Sequence, residues 1–304
     1  MFKRVLAVCA SVAVCASVMV ASVAHAQPST PKVDGQSIAT AASEPTLERK
    51  TWTVDGIERM ALVHTPADAA AGGTPIVFAF HGHGGAARQA SRSFRMHTLW
   101  PEAIVVYMEG VPTPGALTDP EGKRNGWQTR AGVHGDRDLK FFDAVLATLR
   151  ADGKVDERRI YAMGHSNGGW FTYLLWQERA DVFAAFAPSG AFTAQAANLE
   201  PRPAMHIAGT QDDLVKFRNQ ERTMTAIRKV NGCAADGSEW AKDCTLYAST
   251  GGTPVVTMVY DGGHKYPAEA SPLIVKFFKD HQKPEAEAAP AATNPEATKP
   301  DAPK

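Results

Sequence analysis

The chain has 304 residues, of which 44% are hydrophobic and 21% charged, enough for one large buried core. Its 32 basic and 32 acidic side chains cancel, which argues against nucleic acid or an anionic membrane as a main partner.

Residues 1–26 read as an export signal. Lys3 and Arg4 form a positive start, residues 5–23 are uncharged, and Ala24-His25-Ala26 supplies a small-x-small cleavage site. The competing reading, an uncleaved membrane anchor, is weakened by the many Ser and Ala residues. Cleavage removes Lys3 and Arg4, leaving 30 basic against 32 acidic residues, a charge of −2. Cys9 and Cys15 leave too, so Cys233 and Cys244 remain, and two close cysteines in an exported chain are expected to form one disulfide. The expected location is secreted or periplasmic, with no stable membrane association. Residues 27–47 read as a flexible leader, 48–282 as the catalytic domain, and the Pro/Ala/Glu-rich 283–304 as a disordered tail.

Within the domain, strand-like and helix-like stretches alternate. Residues 51–54 and 59–64 flank Asp55-Gly56, a hairpin signal. Residues 75–80 and 103–108 are continuous apolar runs, as expected of strands buried on both faces. Residues 138–149 carry Phe141, Phe142, Val145, Leu146 and Leu149 at helical spacing. A strand at 159–163, a helix at 168–178, strands at 182–187, 204–208 and 255–260, and a closing helix at 268–281 complete the series. This alternation predicts an α/β fold: a mostly parallel sheet flanked by helices, with its working residues at the C-terminal ends of strands.

Gly164-His165-Ser166-Asn167-Gly168 lies directly after a predicted strand and before a predicted helix. A turn that tight tolerates only small flanking residues and lifts the Ser166 hydroxyl clear of the sheet, where it can act as a nucleophile. Serine needs a base, and three histidines lie downstream: His206 inside an apolar strand, His281 at the start of the tail, and His264 in the Gly-rich loop after strand 255–260. His264 is placed to lean over Ser166. The orienting acid is expected at the end of strand 204–208, where Asp212 and Asp213 stand side by side; spacing alone leaves the pair open. Asp181, Asp236, Asp243 and Asp261 read as surface or turn residues. Two backbone amides must meet the developing oxyanion. Asn167, just past the nucleophile, is one candidate; the other is His83 in His81-Gly82-His83-Gly84-Gly85, with Gly84 second. Trp127 and Trp170 lie near these motifs and are candidate substrate-binding residues. No cofactor or metal is called for.

The runs HGHGG, GWQT, GHSNGG, GTQDDLV and GGHKYP resemble the feruloyl esterase and polyhydroxybutyrate depolymerase group of α/β-hydrolases. The resemblance covers roughly residues 49–280. It implies an α/β-hydrolase fold without a lid domain, a triad on Ser166, Asp212 and His264, and soluble or oligomeric ester substrates carrying feruloyl, acetyl or short hydroxyalkanoate groups. The chain departs from the usual pattern at AGVHGD (131–136) and has no Cys in the first Gly loop, which bears on the substrate. The short 189–203 connection agrees with an open site. The competing readings are a secreted serine peptidase and a catalytically dead hydrolase-fold binding protein.

Overall fold

The computed structural model describes residues 45–115 and 117–285. The export signal, nearly all of the leader and most of the tail lie outside them. In chain order the elements are β1 (Glu48–Val54), β2 (Ile57–His64), β3 (Thr74–Phe80), α1 (Ala87–Phe94), α2 (Met96–Leu99), β4 (Ile104–Met108), β5 (Val111–Pro112), β6 (Asn125–Gly126), α3 (Arg137–Ala151), β7 (Val155–His165), α4 (Asn167–Glu178), β8 (Ala185–Ser189), β9 (Ala204–Gly209), α5 (Phe217–Val230), β10 (Ser238–Ala241), β11 (Cys244–Tyr247), β12 (Val255–Tyr260) and α6 (Ala270–Lys279).

The large sheet runs β1-β2-β4-β3-β7-β8-β9-β12-β11-β10. Its centre, β4 to β12, is parallel, while β1–β2 and β10–β11 extend the edges antiparallel. The hairpin between β1 and β2 turns on Asp55 and Gly56, both at positive φ (49° and 77°), as a two-residue turn between twisted strands requires.

Strand β3 is buried along its whole length and shows why its sequence does not alternate. Ile76, Phe78 and Phe80 enter one core with Phe141 and Phe142 of α3 and Leu175 and Trp176 of α4. Val77 and Ala79 enter the opposite core with Phe94 of α1 and Ile274 and Phe278 of α6. With both faces covered, every position after Thr74 is apolar. The parallel centre directs the C-terminal ends of β3, β7, β8, β9 and β12 to one edge.

The two cysteines correct an expectation. Both are free thiols. Cys233 packs against the core that holds Phe78, whereas Cys244 belongs to the core that holds Val77, on the other face of the sheet. A bridge would have to pass through the sheet, so proximity in sequence does not become proximity of sulfurs. Burial pushes the Cys244 thiol up to about 11, which makes it unreactive.

Candidate active site

Strand β7 ends at His165, and the chain reverses into α4 through Ser166, held at φ 57° and ψ −122°. A non-glycine residue there is strained by roughly 1–3 kcal/mol, and its surroundings must impose it. They do so by close approach. A Cβ at Gly164 would lie 2.3 Å from the Gly168 carbonyl oxygen, and one at Gly168 would lie 2.2 Å from that of Phe80. The Ser166 amide donates to the Ser189 carbonyl at 2.8 Å, tying the elbow to β8.

Three of the sequence-predicted residues converge at this edge. His264, in the loop after β12, has Nε2 2.7 Å from Ser166 Oγ and Nδ1 2.8 Å from Asp212 Oδ2. Asp212, after β9, is 4% exposed. Its Oδ1 accepts the amides of Leu214 (3.0 Å) and Val215 (2.7 Å), and its Oδ2 also accepts Gln220 Nε2 (3.0 Å). Four donors thus fix the carboxylate. Asp213 points away, with its side chain 98% exposed and paired with Lys216. The geometry therefore selects Asp212 where spacing alone left a choice. The remaining downstream histidines stand elsewhere: His206 is buried between Tyr173 and Gln220, and His281 bonds the Phe277 carbonyl.

Beneath the triad lies His165, whose ring centroid is 5.0 Å from that of His264 and whose Nδ1 is 3.1 Å from Ser189 Oγ. Burial first, then the neighbouring His264, lowers its pKa to about 4, so it is a neutral support for the base near pH 7.

The first Gly loop comes directly after β3. The Gly84 amide is committed to the Asn125 carbonyl at 2.6 Å and the Gly85 amide to Gly82. Among the described residues no acceptor takes the amide of His83 or of Asn167, the two predicted to face an oxyanion. The His83 ring is clamped through Nε2 to Asp119 Oδ2 at 3.0 Å. Asn167 does a second job: its Oδ1 accepts the Trp127 amide (2.7 Å) and its Nδ2 donates to the Trp127 carbonyl (3.0 Å).

Trp127 corrects another expectation, because it lines no cleft. It is 1% exposed, stacked on Phe171 at 5.2 Å and set edge-on to Phe80 at 5.4 Å, and its Nε1 donates to the His81 carbonyl. An indole so enclosed is a structural anchor. Trp170 is partly exposed, packs edge-on against Phe192 and lines a cleft.

Two clefts meet at Ser166. One of about 460 Å³ is bounded by the Gly loop, Phe94, His165, His264 and Tyr266. The other, about 790 Å³, is bounded by Trp170, Leu174, Phe192, Leu117, Pro114 and Val215. The walls at Pro114, Leu117, Thr118, Arg124 and Arg130 come from segment 109–136. Apart from Trp127 and the unusual 131–136 stretch, that segment gave no sign in the sequence of belonging to the site. Its Gly-Trp-Gln motif was the available signal.

Residues 127–199 match the family model described as "Prolyl oligopeptidase family", a stretch centred on the elbow. The chain is 30% identical over 107 residues to a bifunctional acetylxylan esterase/xylanase of Neocallimastix patriciarum, covering 33% of this chain and 15% of that protein. It is 26% identical over 186 residues to feruloyl esterase B of Piromyces equi, covering 53% and 33% respectively. The chain thus spans less than two thirds of the length of these curated relatives. A feruloyl esterase module from Clostridium thermocellum superimposes with a TM-score of 0.53 at 12% identity, over 76% of this chain and 88% of that one. The chain has the α/β-hydrolase fold. Over part of its length its sequence is similar to feruloyl and acetylxylan esterases. Among its described residues, no helix is long and apolar enough to cross a membrane.

Proposed function

We propose that this α/β-hydrolase is a serine carboxylic ester hydrolase that works through an acyl-enzyme on soluble esters carrying feruloyl, acetyl or short hydroxyalkanoate groups. The observation behind the reading is the hydrogen-bonded chain Ser166–His264–Asp212 (2.7 and 2.8 Å) at a strained elbow between two clefts.

Asp212 accepts a hydrogen bond from the Nδ1–H of His264 and leaves the Nε2 lone pair aimed at the Ser166 hydroxyl. Ser166 Oγ attacks the ester carbonyl carbon while His264 Nε2 takes the hydroxyl proton. The carbonyl oxygen becomes an oxyanion within reach of the His83 and Asn167 amides, each worth about 10²–10³ in rate. The C–O bond to the alcohol then breaks, and His264 returns the proton to the departing oxygen. Water repeats the sequence against the acyl-enzyme, yielding the acid and restoring Ser166.

Fluorophosphonate labelling of the parent and of Ser166→Ala, with initial rates on nitrophenyl acetate, butyrate and octanoate, methyl ferulate and a hydroxybutyrate trimer, tests the reading. The parent is expected to label and turn over, and Ser166→Ala to lose several orders of magnitude while folding normally. A peptide amide cleaved faster than any ester would favour peptidase chemistry instead. We also propose export, on the character of residues 1–26; amino-terminal sequencing of the recovered protein should begin at Gln27.

A further inference from the structure

The two clefts differ in chemistry, and only one includes the group that must protonate the leaving oxygen. His264 lines the smaller cleft and is absent from the lining of the larger one. Because His264 Nε2 delivers its proton to the departing alcohol, the alcohol part of an ester lies on the smaller side. The acyl part then extends along Trp170, Leu174 and Phe192, an apolar surface suited to a hydrocarbon or aryl chain.

The smaller cleft is charged in one sense. Arg124 and Lys265 line it, and among the described residues no Asp or Glu side chain does. Arg124 lies along the oxyanion loop: the space a Gly84 Cβ would fill is 3.3 Å from its Cδ and 3.5 Å from Nη1. One Nη2–H donates to the Thr118 carbonyl at 2.9 Å, and the other guanidinium hydrogens remain to be shared with a ligand. The nearest carboxylate, Asp119, is 3.9 Å from Arg124 Nε. Its oxygens already accept from His83 Nε2 and from the amides of Lys123 and Arg124, so its charge is largely spent on the loop. Lys265, exposed and next in sequence to His264, pairs with no carboxylate among the described residues. The larger cleft is balanced by contrast, with both Glu178 and Arg130 in its lining and with Lys216 held by Asp213.

Resting on the ester-hydrolase reading, we propose that the smaller cleft selects alcohols that bear a carboxylate, so that the preferred substrates are esters of an apolar acid with a hydroxycarboxylic acid. The carboxylate lies between Arg124 and Lys265 while the ester oxygen faces His264. A hydroxyacid oligomer, a uronate and a cyclic hydroxy acid all present this group.

The test compares butyryl glycolate with butyryl glycolamide, a neutral partner of nearly the same shape, each corrected for its rate of hydroxide hydrolysis. The parent should favour the anion in kcat/KM by about tenfold at low ionic strength, the sum of two partly exposed ion pairs. That ratio should shrink toward one in 0.5 M salt, which screens exposed charges on a scale of roughly 4 Å. It should fall toward one in Arg124→Gln with Lys265→Gln, and below one in Lys265→Glu. Reading a ratio within each protein removes differences in folding or active fraction. A parent that turns over both esters at equal rates, or a ratio that survives the double substitution, overturns the proposal and leaves the ester-hydrolase reading standing. No turnover of either ester, with no fluorophosphonate labelling, overturns both. Among esters that do respond, a hydroxybutyrate dimer, a uronate ester and a cyclic hydroxy acid ester rank the sources of the carboxylate.

Discussion

Replacing Asp212 by Asn removes a charge while keeping the volume, and the hydrogen bonds around the carboxylate dictate the new tautomer of His264. The carboxylate accepts the Leu214 and Val215 amides on Oδ1 and both Gln220 Nε2 and His264 Nδ1 on Oδ2. An amide there keeps its oxygen on the two backbone donors, because turning it round would set NH2 against two buried N–H groups. Its NH2 then faces Gln220 and His264. Facing a donor, His264 Nδ1 must accept, so the ring proton moves to Nε2 and the Ser166 hydroxyl loses its base. The same change in a comparable protease triad costs about 10⁴ in kcat, or about 5.5 kcal/mol of transition-state stabilisation. Asp213→Asn disturbs only an exposed pair with Lys216 and should alter the rate by less than about threefold. The assay is kcat on nitrophenyl acetate with circular dichroism as a control for folding. Asp212→Asn retaining more than a tenth of parental kcat, or Asp213→Asn the more damaged of the two, would refute the reasoning.

Trp127→Ala should destabilise the fold by about 3–5 kcal/mol in denaturant titrations, since it empties an enclosed site and orphans the His81 carbonyl; an effect under 1 kcal/mol contradicts the anchoring role. Trp170→Ala should leave the unfolding midpoint nearly unchanged and raise KM for octanoate more than for acetate, an outcome that equal KM changes would exclude. His81 and His206 are held neutral by burial, with pKa values near 4 against an ordinary 6.5. The unfolded chain therefore takes up protons first, so stability is full above pH 6.5 and declines as the pH falls toward 4, by up to about 3 kcal/mol per histidine; an unfolding midpoint that does not change between pH 7.5 and 5 refutes this. Thiol titration of a chain beginning at Gln27, under denaturing and non-reducing conditions, should find two sulfhydryls, and finding none would restore the bridge that the structure contradicts.

Legibility in the sequence depended on how local the determining physics is. The apolar runs of β3 and β4 and the periodic Phe141-to-Leu149 stripe were readable because burial on both faces of a strand, or on one face of a helix, leaves a pattern within ten residues. Strand β7 proved longer than its apolar part because Asp156, Glu157 and Arg158 lie at the less buried start of the strand, where composition gives no strand signal. The supposed strand at 182–187 begins instead at Ala185, after a short 3₁₀ turn at Ala180–Val182. Helices α1 and α5, rich in Arg, Gln and Thr, escaped because only a narrow stripe of each is buried. The elbow was legible through its glycines, and His264 through its loop. The acid was legible only through the family resemblance, which pointed to Asp212; residue spacing could not choose it, because the choice depends on four donors contributed by Leu214, Val215, Gln220 and His264. The cysteine pair failed for the same reason: which face of the sheet a side chain meets is a tertiary fact.

The described residues of segment 109–136 wall both clefts, and the segment is bound to the two loops that hold the proposed oxyanion donors. Three links do this: Asn167 to both backbone groups of Trp127, the Gly84 amide to the Asn125 carbonyl, and His83 to Asp119. Each joins a residue of these two loops to a residue of segment 109–136 that stands behind the cleft lining. On the proposed mechanism, moving Trp127 would drag Asn167, whose amide is to meet the oxyanion. Hydrogen bonds to a developing charge weaken steeply with misplacement. The arrangement therefore couples specificity to rate. Substitutions that reshape the clefts from within this segment will be felt in kcat as well as KM, whereas those on α4 and the 189–203 connection, such as Trp170 and Phe192, can alter the acyl surface without touching the donors. On the proposed mechanism, these hydrogen bonds and the buried packing of Trp127 hold the two oxyanion donors in place before substrate binds.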